Sequence, residues 1–97
     1  MTIDQVREEL KDVKQYYSRK GFFDRAKMDD FVQRIKTNAE KYDRLVLEAP
    51  TTYFNVYDLI YRKGKSQFQA SIELSYAKRT VERLHSELVG FFVNIQN

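Results

Sequence analysis

Residues 62–88 read RKGKSQFQASIELSYAKRTVERLHSEL, and this stretch decides the fold. Gly64 is a natural helix stop, because a left-handed residue costs glycine little. Ser66 is an N-cap residue type, and it predicts a short helix over about Gln67–Leu74. Ser75-Tyr76-Ala77 is a tight connection. A longer helix then runs from about Lys78 to Val93, with Val81, Leu84, Leu88 and Phe91 or Phe92 on its inner face. Two helices joined by so short a turn form a helix-turn-helix, whose second helix is the one that enters a DNA major groove. In this reading Phe68, Leu74, Val81 and Leu84 pin the two helices together, and the small Ala70 and Ser71 let them approach closely.

The candidate contact residues follow from that layout. The opening of the last helix projects Lys78, Arg79, Thr80, Glu82 and Arg83. Arginine reads guanine through two parallel hydrogen bonds, glutamate accepts from cytosine, and threonine reaches a phosphate or a thymine methyl. The helix N-terminus itself attracts phosphate. Arg62, Lys63 and Lys65 precede the short helix and are placed to hold the DNA backbone. These two clusters contain all six basic side chains of residues 51–97, against four acidic ones. Residues 1–50 carry 11 basic and 10 acidic side chains, a mixed-charge surface.

Upstream, Ile3, Val6, Leu10, Val13 and Tyr17 are spaced by three and four residues, one face of a helix from Thr2 to about Arg19. Thr2 and Gln5 form a capping-box pattern. Lys20-Gly21 breaks the helix, and a second starts near Asp24 as N-cap. Met28, Phe31, Val32, Ile35, Ala39, Tyr42, Leu45 and Val46 mark its apolar face, and Ala49-Pro50 ends it. The two helices predict an antiparallel hairpin joined along an apolar seam. Thr51-Thr52 offers the cap of a third helix, from Tyr53 to about Lys63. The sum is an all-α chain of about five helices: a hairpin over residues 1–50, for support or oligomerisation, and a helix-turn-helix unit over 51–97, expected to share one compact domain. The apolar tail Phe91, Phe92, Val93 and Ile95 is expected either to pack back on the hairpin or to make a homodimer interface.

Composition excludes several functions. The 97 residues contain no cysteine and one histidine, so a disulfide scaffold, a cysteine nucleophile and a zinc site are not expected. No nucleophile-base arrangement is identifiable around His85, and adjacent carboxylates such as Glu8-Glu9 and Asp29-Asp30 diverge on a helix. No catalytic residue, metal, cofactor or small-molecule substrate is expected. No apolar run approaches the ~18 residues of a membrane span, and no signal-peptide pattern opens the chain, so a complete, cytoplasmic protein with no membrane partner is expected. A net charge of +3 does not by itself mark a nucleic-acid binder.

The stretch also resembles a known family. Gly64, Lys65 and Ser66, then a short helix, then Leu74, Tyr76, Lys78, Arg79, Thr80, Val81, Arg83, Leu84 and His85 are similar to the sigma-factor-like helix-turn-helix of small phage regulators of the ArpU and RinA type. Tyr42-Asp43-Arg44-Leu45 is similar to that family's upstream helical region. The resemblance covers about residues 53–90. It implies an all-helical fold, sequence-specific binding of double-stranded DNA in transcription control, and RNA polymerase as a further partner. Three features depart from the pattern: Ala77 replaces a capping Ser or Thr, Ser75 replaces a turn glycine, and the pair Ala70-Ser71 replaces Ile-Ala, with Phe68 expected to restore the core volume. The alternative from a different class is a non-catalytic protein-interaction module, such as a phage-encoded inhibitor of a host protein, using the same scaffold.

Overall fold

The computed structural model describes all 97 residues, and every regular element is helical. Helix α1 spans Ile3–Ser18, and Thr2 and Gln5 close the capping box at its start. Helix α3 spans Asp30–Leu45. The two run antiparallel: Asp12 meets Arg34 and Asn38, whereas Glu9 meets Lys41 and Tyr42 further along α3. Val6, Leu10 and Val13 face Tyr42 and Val46 in the buried seam.

The first connection differs from the expected break. The chain re-enters a six-residue helix, α2, at Lys20–Arg25, and Asp24 lies inside it. The cap of the long helix is Asp29, whose carboxylate accepts from the Val32 N–H at 2.8 Å. The cause is Phe23, which is buried with Val32 and Ile35 beneath Tyr16 and ties α2 to both long helices. Met28 therefore precedes the helix and is exposed, and Phe31 and Ile3 are exposed as well. At the other end, α3 tightens at Val46–Glu48 into a 3₁₀ turn before Pro50.

Helix α4 begins at Thr51, directly after Pro50, without a side-chain cap from either threonine. It continues past Tyr57 as a wide π-helical turn over Asp58–Arg62 that the sequence pattern did not announce. This turn lets three consecutive residues, Leu59, Ile60 and Tyr61, be buried. Gly64 then reverses the chain at φ +69°, and Lys65 N–H closes back on the Leu59 carbonyl.

Helix α5 spans Gln67–Leu74 and starts with a second capping box, Ser66 with Gln69. It ends on Ser75 in the left-handed conformation, φ 58°. Tyr76 N–H bonds the Ser71 carbonyl and Ser75 N–H the Ile72 carbonyl, which is the Schellman pattern with serine in glycine's usual place. Helix α6 runs from Lys78 to Ile95. Ala70 and Ser71 are buried at the α5–α6 contact, as the spacing anticipates. Phe68 is not part of it: the ring is 59% exposed, because the buried face of α5 is already filled by Ala70, Ser71 and half-buried Leu74.

One cluster of 16 buried residues joins hairpin and helix-turn-helix, from Val6, Leu10 and Val13 through Tyr42 and Tyr57 to Val81, Leu88 and Phe92. The tail folds back on its own chain. Phe92 is fully buried edge-on against Tyr42, and Phe91 packs on Tyr53. Seam and tail are thus both consumed internally, so neither is a free dimerisation surface. No helix is long and apolar enough to cross a membrane.

The left-handed serine predicts a stabilising substitution. Ser75→Gly should raise unfolding free energy by about 1 kcal/mol, since the left-handed region costs a side-chain-bearing residue roughly that much. A urea melt measures it, and an unchanged midpoint would mean the turn is not held as described.

Candidate nucleic-acid interface

The long helix of the helix-turn-helix is held at both ends. Near its start, His85 stacks on Tyr61 with ring centroids 5.8 Å apart, and His85 Nε2 lies 2.5 Å from the Tyr61 hydroxyl. Near its end, Gln96 donates to the Tyr42 hydroxyl at 3.2 Å and Phe92 sits in the core. The two N-terminal turns of α6 bury Val81 and Leu84 in the core and leave the opposite face in solvent.

On those turns Arg79, Glu82, Arg83 and Ser86 are all exposed. Their three- and four-residue spacing puts them in one outward stripe. Lys78 is exposed at the helix start, while Thr80 is half-buried beside Val81 and is less available than its position in the sequence suggests. Ala77 supplies no cap, and the N–H groups of Lys78 and Arg79 find no acceptor within the chain. Unpaired donors at the positive end of an 18-residue helix favour an anion there.

Several of the basic side chains have carboxylate partners. Lys78 faces Glu82 at 3.8 Å, and Arg83 bonds Glu87 at 2.9 Å, both one turn along the same helix. Such exposed pairs contribute about 0.3–0.5 kcal/mol and exchange readily for a phosphate. Arg79 has no ion pair. In the preceding turn Asp58 holds both Arg62 Nε at 3.5 Å and Lys63 Nζ at 3.3 Å, and Lys65 is unpaired.

The two clusters are not contiguous. The eight residues of α5, about 12 Å of helix, separate Lys65 from the turn that leads to Lys78. The turn that carries Arg62 and Lys63 packs on α1, where the Arg62 guanidinium lies over the Tyr17 ring. One cluster thus faces α1 and the other opens α6.

Three residues near these two clusters were not evident from the sequence. Ser86 continues the Arg79–Arg83 stripe, and its spacing alone could have revealed it. Arg7, one face over on α1, lies close enough for its charge to act on Tyr61 and His85. Lys14 of α1 meets the turn at Arg62–Gly64. Its partner lies about 50 residues away in the chain, a pairing no local pattern encodes.

No family model matches the chain, and no curated protein or solved structure matches it.

His85 gives the fold a pH dependence. Burial, then the charge of Arg7, lowers its pKa below the ordinary 6.5. The folded state therefore favours neutral imidazole. Its contribution is intact above about pH 6.5 and is lost as pH falls through the lowered value, at up to about 1.4 kcal/mol per pH unit. Urea melts at pH 7 and pH 5 should show a larger acid loss for wild type than for His85→Gln. Equal losses would contradict a buried neutral His85.

Proposed function

We propose that the protein binds double-stranded DNA with sequence preference, acting as a transcription regulator of the phage or prophage type. The observation that carries this reading is the outward stripe of α6, Arg79, Glu82 and Arg83, at an uncapped helix start behind a three-residue turn. In this reading α6 enters the major groove. Arg79 and Arg83 contact bases, with Glu82 as acceptor, and Lys78 and Thr80 reach phosphates. Arg62, Lys63 and Lys65 grip the flanking backbone. The resemblance of residues 53–90 to the ArpU and RinA type of regulator supports the same conclusion, with a cytoplasmic location and RNA polymerase as a further partner. Neither a metal nor a cofactor is called for. A homodimer on a two-fold site needs a surface other than the seam and the tail.

A second reading rests on a different observation. Phe68 and Ile72 stand 59% and 63% exposed one turn apart on α5, and Tyr76 just past its end is exposed as well. An apolar strip on the helix next to the recognition helix suits a protein partner. In this reading the scaffold is an interaction module that blocks a host protein, and its DNA contacts are vestigial.

Salt dependence and sequence selection separate the two. Selection from a random duplex pool at ~0.1 M salt should enrich one motif with wild type and lose it with Arg79→Ala/Arg83→Ala. Arg79→Ala alone should cost about 1–3 kcal/mol at one base position, whereas Lys65→Ala should weaken all sequences alike. Affinity should fall steeply as salt rises. Wild type that retains no DNA, or binds every sequence equally, would overturn the sequence-reading assignment.

A further inference from the structure

A cleft of about 270 Å³ lies between α1 and the turn that ends in Gly64. Lys14 and Ser18, one helical turn apart on α1, line one side. Arg62, Lys63 and Gly64 line the other, and Tyr17 and Tyr61 complete it. Three cations and no carboxylate line the cleft, and Asp58 is the one acid paired to any of them. Asp43, the other acid nearby, is occupied by the hydroxyls of Tyr17 and Tyr57.

The donors are arranged as well as charged. The Arg62 guanidinium lies over the Tyr17 ring, 5.6 Å from its centroid. It meets Asp58 through Nε, so its two terminal nitrogens have no protein partner. A planar pair of N–H donors is the geometry that grips a phosphate bidentately. Gly64 adds a backbone N–H with no acceptor in the chain. Its φ of +69° excludes most side chains, and nothing stands within 4 Å of where a Cβ would be. A ligand can therefore approach the main chain closely. The π-helical turn Asp58–Arg62 delivers Arg62 to this position, and such wide turns recur at functional sites.

We propose that this cleft is a phosphate-binding site with room for one nucleotide. The phosphate is held by the Arg62 terminal nitrogens, Lys14, Lys63 and the Gly64 N–H. Its volume exceeds a lone phosphate and lies just below the ~300–1,000 Å³ of pockets for drug-sized ligands. The nucleotide is either one unit of the DNA strand that α6 engages or a free nucleotide. The first case rests on the duplex reading above and extends its footprint onto the hairpin through Lys14 and Ser18.

The test uses Lys14→Gln, an exposed position whose change leaves the core intact. Amide shifts of Ser18 and Gly64 are followed by NMR in wild type and variant. The probes are inorganic phosphate, adenosine monophosphate and a 16-base-pair duplex. The expected result is that the duplex moves both amides, and that Lys14→Gln binds it about 3–10-fold more weakly with a salt slope lower by about one. Duplex binding that shifts residues 78–83 but leaves Gly64 still, with Lys14→Gln equal to wild type, would overturn the cleft and spare the α6 reading. Phosphate or nucleotide that moves Gly64 in wild type only, with no duplex binding, would support the cleft, assign it to a free nucleotide and overturn the α6 reading. No shift with any probe would overturn the cleft outright.

Discussion

Three buried tyrosines must each find a partner for a hydroxyl, and the structure is organised around where they find it. A buried hydroxyl left unpaired costs about 1–3 kcal/mol. The Tyr42 hydroxyl donates to Glu9 at 2.7 Å and accepts from Gln96, which locks α3 to both α1 and α6. The Tyr57 hydroxyl donates to Asp43 at 2.7 Å, joining α4 to α3, and Tyr17 reaches the same carboxylate from α1. Tyr61 meets His85 on α6. No buried side-chain polar atom in the molecule lacks a partner. Burial, followed by the adjoining carboxylate, pushes the Tyr17 hydroxyl up to about 12 and raises Tyr57 further, so both stay protonated as donors.

These contacts hold the helix that carries the candidate interface against the core. α6 is anchored by Tyr61 near its second turn and by Tyr42 at its last. Val81 and Leu84 bury the inner face of its first two turns, and the outer face carries Arg79, Glu82 and Arg83. Arg62 ends the π-helical turn and Lys63 follows it, and both line the cleft against α1.

Much of this was legible in the sequence, where the signal was local. The spacing of Val6, Leu10 and Val13, the Thr2 and Ser66 caps, and the Gly64 stop each encode their own element within a few residues. The short α5, its turn at Ser75 and the start of α6 follow from the same kind of signal. What was not legible depended on distant partners. The residues of α2 read as a loop because Lys20-Gly21 resembles a break, and only Phe23 packing on Val32 and Ile35 makes that segment helical. Phe68 read as core because it is large and apolar, although Ala70 and Ser71 had already closed that face. The wide turn at Asp58–Arg62 exists to bury three neighbours at once, which no spacing rule anticipates. Of the candidate site, Arg79, Glu82 and Arg83 stand exposed as expected and Thr80 is half-buried. The contribution of α1 was invisible, because Lys14 and Arg62 lie far apart in the chain.

The proposed function requires that the exposed stripe of α6 lie against duplex DNA. The absence of cysteine from the chain allows a direct test. A DNA-cleaving iron chelate is tethered to Ser86→Cys at the end of the stripe, and in a separate protein to Leu47→Cys, exposed at the end of α3. The account predicts localised cuts within the selected duplex from the α6 tether and none from the Leu47 tether. Cleavage that is absent from both, or alike from both, would contradict it.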